Sequence, residues 1–353
     1  MTAKLLDVDG LTKHFVRRSS TLRAVDGVSF ALHYGETLAL VGESGCGKST
    51  TARLVLRLIE PTAGTIHFEG VDITDMRGEP LRKLRRRMQI IFQDPFASLN
   101  PRMSVGALVK EPLIVHAIGD ARARRHRVAE LLELVGLSAE HATRFPHEFS
   151  GGQRQRISIA RALALEPALV VCDEPVSALD VSIQAQVINL LRDLQQRLKL
   201  SYLFIAHDLA VVKHIADRVA VMYLGRIVEV APARKLFADP RHPYTRTLLA
   251  AIPRADPHYR PAARPSEPEP VSPAHLPVGC RFQNRCAFAV NVCRMIDPPM
   301  LAVGPGHGAA CHRAAELPPF KEPPHRPIAP AAERRAALYA SLRARRDALA
   351  TEA

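Results

Sequence analysis

Gly42–Glu43–Ser44–Gly45–Cys46–Gly47–Lys48–Ser49–Thr50 fits the pattern G-x-x-x-x-G-K-[S/T], and its flanks are those that give the pattern meaning. Before it runs the apolar, strand-like Thr37–Leu38–Ala39–Leu40–Val41. After it, Thr51–Leu58 places apolar residues at helical spacing. Strand, glycine-rich loop and helix together make a phosphate cradle. The glycines let the backbone bring its N–H groups close to phosphate oxygens, and the helix N-terminus adds a favourable dipole. In such a cradle Lys48 reaches the β and γ oxygens and the Ser49 hydroxyl is a ligand for Mg²⁺. The stretch predicts a nucleoside triphosphate site.

The chain has 353 residues, enough for one large or two modest domains with a real core. Its net charge of +13 raises a nucleic-acid reading. The densest basic runs, Arg82–Arg87, Arg122–Arg125 and Arg343–Arg346, carry no interleaved aromatics that would stack on bases. Solvated faces, or a surface near anionic headgroups, account for them equally well. No signal peptide opens the sequence and no apolar segment approaches the ~18–20 residues that span a bilayer. A cytoplasmic, soluble or peripheral protein is expected. In a reducing compartment its six cysteines are thiols or metal ligands rather than disulfides.

Along the chain, residues 5–92 read as short strands around the phosphate loop, among them Val28–His33, Thr65–Glu69 and Met88–Phe92. From Pro95 to about Glu166 the spacing turns helical, over Ser104–His116 and Ala121–Gly136. The alternating pattern returns with Ala168–Cys172, a long helix over Val181–Leu198, the strand Ser201–Ala206, a helix near Leu209–Ala216 and strands at Arg218–Tyr223 and Arg226–Glu229. Such alternation predicts an α/β fold on a largely parallel, covered sheet. The expected organisation is a cassette over 1–252 with a helical insertion at about 95–166. A proline-rich linker over 253–277 and a cysteine-bearing extension over 278–353 follow, the last ending in a helix.

Two further stretches carry chemistry. A strand ending in Asp173–Glu174 offers one acid to a Mg²⁺ shell and the next to polarise a water for in-line attack. Ser150–Gly151–Gly152–Gln153, at the start of an amphipathic helix, forms a second anion-ready helix terminus.

With Phe149–Ser150–Gly151–Gly152–Gln153 in place, residues 5–250 resemble an ATP-binding cassette (ABC) ATPase, whose signature is usually Leu-Ser-Gly-Gly-Gln; here Phe149 stands for Leu. The resemblance implies a P-loop cassette with a RecA-like core, an antiparallel β subdomain and a helical subdomain. It implies that Gln93 is the Q-loop glutamine approaching Mg²⁺ and the attacking water, beside Ser49 and Asp173. It makes Ser177–Ala178–Leu179–Asp180 the D-loop at a dimer interface and His207 the switch histidine on the γ-phosphate. Phe15 takes the position of an aromatic stacked on adenine, and Glu174 that of the general base. In this family two cassettes sandwich two ATP molecules, each site pairing one phosphate loop with the other chain's signature.

Within the family, Gln93–Asp94–Pro95–Phe96–Ala97–Ser98–Leu99–Asn100–Pro101–Arg102 and His242–Pro243–Tyr244–Thr245–Arg246–Thr247–Leu248–Leu249 are similar to the dipeptide/oligopeptide importer ATPases. So is Gly279–Cys280–Arg281–Phe282–Gln283–Asn284–Arg285–Cys286. That branch implies a motor subunit at the cytoplasmic face of the inner membrane, bound to two transmembrane permeases and serving an extracytoplasmic binding protein indirectly. The second cassette is expected to be a paralogue, making a heterodimer. Import of nickel or another small solute is the near alternative; a soluble ABC ATPase acting on nucleic acid or ribosomes is the distant one. Cys280, Cys286, Cys293 and Cys311 have five, six and seventeen residues between them. Soft thiolates suit zinc or an iron–sulfur cluster, and the paired C-x₂₋₄-C of common zinc sites is missing. Some members resembling this chain carry a [4Fe–4S] cluster here, which makes that the expected occupant beside ATP and Mg²⁺.

Overall fold

The computed structural model describes residues 3–17, 20–252 and 276–320. Most of the expected linker and the expected terminal helix lie outside the described residues.

Two sheets divide the work. Strands β1 (Lys4–Arg17), β2 (Ser20–His33), β4 (Ala63–Phe68) and β5 (Val71–Asp72) form an antiparallel sheet in the order β2-β1-β4-β5. The second sheet is built on β3 (Thr37–Val41), β6 (Met88–Ile91), β7 (Leu169–Asp173), β8 (Ser201–Ala206) and β9 (Arg218–Tyr223), with β10 (Arg226–Pro232), β11 (Leu301–Gly304) and β12 (His307–Ala309) added at one side. Its order is β11-β12-β10-β9-β3-β8-β7-β6. The run from β9 to β6 is parallel and the last three strands pair antiparallel.

The central strands are apolar throughout because both of their faces are covered. Side chains alternate across the sheet. Leu38, Leu40, Leu169, Val171, Leu203 and Ile205 thus face a core shared with the first sheet and with α1 (Lys48–Val55). Ala39, Val41, Val170, Cys172, Tyr202 and Phe204 face the other core, which the remaining helices supply. Each fully buried Leu, Ile or Phe there contributes about 1.5–3 kcal/mol. Helix α1 stops at Val55, short of the expected Leu58, because Leu56 ends the turn and Arg57 takes a left-handed backbone at φ 55°.

Helices α2 (Gly78–Leu84) and α3 (Pro95–Ser98) bracket β6. A helical stretch follows, with α4 (Val105–Val115), α5 (Ala121–Leu134) and α6 (Gly151–Leu163). Ser104, Asp120 and Ser150 cap the last three through side-chain oxygens on free backbone N–H groups. Helix α7 (Val181–Leu198) starts on the Asp180 cap, and α8 (Leu209–Ile215) on the Asp208 cap. Helices α9 (Ala233–Ala238) and α10 (Pro243–Ala250) close the segment before 253, and α11 (Asn291–Met295) lies in the cysteine-bearing segment.

That segment is joined to the main sheet. β12 pairs with β10 through Glu229↔Ala309 and Val230↔Gly308. At this seam Glu229 is fully buried. Its carboxylate accepts from the Arg241 and His242 backbone N–H groups at 2.6 and 3.0 Å and meets His307 Nε2 at 2.7 Å.

Candidate functional site

The phosphate loop leaves β3 at Val41 and enters α1 at Lys48. Its shape depends on two glycines: a Cβ on Gly42 would stand 2.1 Å from the Met222 carbonyl oxygen, and one on Gly47 2.2 Å from that of Ala24. Both have positive φ, 157° and 108°, and Gly47 is the N-cap of α1. The Cys46 carbonyl accepts the Gly225 N–H at 2.9 Å, which ties the loop to the turn between β9 and β10. Lys48 is buried, and its ammonium donates to the carbonyls of Gly42 (2.9 Å) and Glu43 (3.0 Å).

Phe15, Ser44, Gly45, Gly47, Lys48, Ser49, Thr50, Gln93 and Glu174 line one cleft of about 310 Å³. β1, β3, α1, β6 and β7 all deliver residues to it, in keeping with the rule that α/β sheets bind ligands beyond the carboxyl ends of their strands. The Ser49 hydroxyl donates to Asp173 Oδ1 at 2.8 Å. Burial raises the Asp173 carboxyl above its ordinary value, against the pull of the Ser49 bond, and the neighbouring Glu174 raises it further. A serine hydroxyl and a charge-strained buried carboxylate are hard oxygen donors, and they fit Mg²⁺.

Glu174 follows directly. Its backbone is left-handed, φ 49°, which costs a non-glycine residue about 1–2 kcal/mol. Gln93 Nε2 donates to Glu174 Oε2 at 3.1 Å, and His207 Nδ1 lies 3.0 Å from the same oxygen. Phe15 is 40% exposed, an open ring at the cleft wall with Lys13 Nζ 5.3 Å from its centroid.

Other sequence-predicted residues lie elsewhere. Cys46 is buried in the core behind the loop, where desolvation raises its thiol. Glu43 turns its carboxylate away to Arg285. Ser150 and Gln153 form a reciprocal capping box at the start of α6 and do not line the cleft. Gly152 permits close packing there, since a Cβ would fall 2.5 Å from Ile183 Cγ2 on α7, and a Cβ on Gly151 would touch Leu179 at 3.4 Å. The expected D-loop joins these parts. Ser177 Oγ donates to the Glu174 carbonyl at 3.1 Å, Ala178 and Leu179 follow, and Asp180 caps α7.

The four C-terminal cysteines do converge. With His242, Phe282, Phe288 and His312 they line one cavity of about 10 Å³, and burial raises Cys280, Cys286 and Cys311, the last to about 11. That volume holds at most one water. Among the described residues no group of three or more His, Cys, Asp or Glu side chains is arranged to hold a metal ion. The expected iron–sulfur ligand set is therefore not formed as the side chains stand.

Sequence reasoning passed over Leu22, Arg23, Ala24, Leu224 and Gly225 in the cleft wall. It also passed over the role of Tyr244, whose hydroxyl accepts the Glu43 N–H at 2.8 Å. The peptide-branch wording around Tyr244 was the available signal; its contact with a loop 201 positions away was not readable.

Comparison with known proteins agrees with this geometry. The ABC transporter family profile matches residues 25–177, and that of the oligopeptide/dipeptide transporter C-terminal region matches 228–293. A Brucella ovis chain named, by inference, a peptide import ATP-binding protein is 56% identical over 309 residues, covering 88% of this chain and 98% of its own length. The oligopeptide transport ATP-binding protein AppF of Bacillus subtilis is 52% identical over 301 residues, 84% of this chain and 92% of AppF. A solved dimeric ATP-binding cassette in a post-hydrolysis state, bound to ADP and phosphate, superposes with a TM-score of 0.60 at 28% identity. That match covers 65% of this chain and 99% of the other. With the cleft, the loop and both profiles in agreement, the chain belongs to the ABC transporter ATPases, in the oligopeptide/dipeptide transporter branch.

Proposed function

We propose that the chain is the ATP-hydrolysing subunit of a membrane importer for di- and oligopeptides, peripheral on the cytoplasmic face and docked on two permease subunits. The observation that carries this reading is the single cleft gathering Lys48, Ser49, Gln93 and Glu174, in a chain matching both the cassette and the peptide-transporter C-terminal profiles.

The chemistry follows from the parts. The loop N–H groups and Lys48 bind the β and γ phosphates, with Lys48 exchanging its two carbonyl partners for phosphate oxygens. Ser49, Asp173 and Gln93 would hold Mg²⁺, which would neutralise charge developing on the phosphates. Phe15 offers its open face to adenine. Glu174 is the general base: Gln93 and His207 both engage Oε2, which fixes the carboxylate and leaves neither bond on Oε1 to compete for a water. His207 positions the γ-phosphate. Ser150–Gln153, standing outside this chain's own cleft, complete the cleft of a second cassette, a paralogue in our reading, across an interface that includes Ser177–Asp180. Closing on ATP and reopening after hydrolysis would drive the permeases, which an extracytoplasmic binding protein supplies. Three arginines of the Arg82–Arg87 run are engaged within the chain. Arg82 pairs with Glu79, Arg85 holds the Leu56 and Arg57 carbonyls, and Arg87 pairs with Glu69.

The test is uptake in a strain lacking the chain's gene. Loss of labelled tripeptide uptake, restored by the wild-type chain and not by Glu174→Gln, supports the peptide reading. Loss of nickel uptake with peptide uptake intact would replace it with the small-solute one.

The [4Fe–4S] cluster is a second reading, favoured only by the convergence of four thiols on one cavity. Anaerobic purification with iron, sulfide and zinc analysis decides it. About four irons per chain, lost in Cys286→Ser, would support the cluster, and a metal-free chain would remove it.

A further inference from the structure

The cysteine-bearing segment reaches back to the nucleotide cleft through two arginines four positions apart. Arg285 forks onto Glu43 of the phosphate loop, Nη1 to Oε2 at 2.9 Å and Nη2 to Oε1 at 2.8 Å. Its side chain is only 8% exposed, and its guanidinium lies 5.5 Å from the Phe282 ring centroid and 5.9 Å from that of Tyr223. Arg281 donates to the Leu224 carbonyl and pairs with Asp26. Leu224 and Gly225 are cleft wall, and the Asp26 N–H bonds the Gly225 carbonyl at 2.9 Å. The phosphate loop and the Leu224–Gly225 wall of the cleft are therefore both gripped from a segment more than forty positions beyond β10.

Glu43 is held on every side. Its N–H bonds the Tyr244 hydroxyl, its carbonyl accepts from Lys48, and its carboxylate lies in the Arg285 fork. Tyr223, Tyr244 and Phe282 pack as one aromatic group beneath, with centroids 4.5, 5.3 and 5.4 Å apart. A phosphate cradle is an awkward place for a carboxylate: it repels the polyanion unless a cation pairs with it and turns it aside. A planar fork does both, since two parallel charge-assisted bonds fix direction as well as charge.

We propose that Arg285 is a positioning residue for nucleotide binding. It neutralises Glu43 and holds it outward, so that the loop presents its N–H groups, and not a carboxylate, to the triphosphate. This rests on the reading that ATP occupies the cleft. The oligopeptide-type extension is thereby a working part of the ATP site.

The experiment is titration of the full chain with a fluorescent ATP analogue and Mg²⁺, comparing wild type, Lys48→Ala, Arg285→Ala, Arg285→Lys and the double variant Glu43→Gln/Arg285→Ala. Arg285→Ala should raise Kd roughly three- to tenfold, as expected for an uncompensated charge beside a polyanion. The double variant, having no carboxylate to repel, should bind more tightly than Arg285→Ala alone. Arg285→Lys, with charge but no fork, should fall between wild type and Arg285→Ala. A merely structural arginine would lower thermal stability equally in the single and double variants and leave their Kd values alike. Wild-type Kd in Arg285→Ala, or a double variant as weak as the single, overturns the proposal. If Arg285→Ala does not fold, Arg285→Lys with an unchanged Kd overturns it. Failure of the ATP reading looks different: Lys48→Ala would then bind as well as wild type, or wild type would not bind at all.

Discussion

His207 Nδ1 lies 3.0 Å from Glu174 Oε2, joining the residue after β8 to the residue after β7 at the mouth of the cleft. A histidine on a carboxylate fixes where that carboxylate points. It also makes the pair sensitive to loss of either side chain.

Glu174→Gln keeps the shape and both neighbours while removing the base. ATP hydrolysis should fall by about 10²–10⁴-fold with binding of the fluorescent analogue retained. Steady-state phosphate release and the binding titration, run on the same preparation, check both halves. Hydrolysis at wild-type rate would remove Glu174 from the chemistry.

The raised carboxyl of Asp173 leads to a pH effect. Its folded value lies above the ordinary one because burial disfavours its charge. As pH falls it takes up a proton earlier than an exposed aspartate, so Mg²⁺-dependent nucleotide binding should weaken at correspondingly higher pH. Asp173→Asn should lose most of the Mg²⁺ dependence and flatten the acid side of the pH profile, read by repeating the fluorescent-analogue titration as pH is lowered from neutrality.

Gly47→Ala should abolish nucleotide binding. The added methyl meets the Ala24 carbonyl oxygen at 2.2 Å and the backbone sits at φ 108°. Strain of about 1–3 kcal/mol is expected from the conformation alone, before the clash is counted. Thermal unfolding should show a lowered Tm even without ATP.

Burial pushes His242 down to about 4, although the Glu229 carboxylate pulls the other way. Its neutral Nδ1 accepts the Tyr244 N–H at 3.1 Å and caps α10. The ring is neutral in both folded and unfolded chains above the unfolded value of about 6.5. Below that, only the unfolded chain gains a proton, so stability falls as pH drops from about 6.5 towards 4, by up to about 3 kcal/mol. His242→Asn, which retains a capping oxygen, should show a shallower fall of Tm across that window.

Much of the site was legible because its chemistry is local. The phosphate loop, the acids after β7 and the histidine after β8 each follow a continuous apolar strand, and the Ser150 cap opens an amphipathic helix. Helix α7 was read over Val181–Leu198, the span it occupies. The long pairing of β1 with β2 was not read, because its register shifts at several bulges and breaks the apolar alternation. β11 and β12 are four and three residues long and exist as strands only through pairing, β12 with β10 and β11 with β12. Arg285 and Glu43, 242 positions apart, leave no local trace of each other.

The seam at Glu229 bears on any attempt to make a minimal cassette. A fragment ending at residue 252 would turn β10 into an outer edge, baring the backbone groups now bonded to Gly308, Ala309 and Ala310. It would also strand a fully buried carboxylate without the His307 imidazole. Unpaired edges recruit other chains. Such a fragment is expected to self-associate or precipitate, and poor behaviour in it would say nothing against the intact protein.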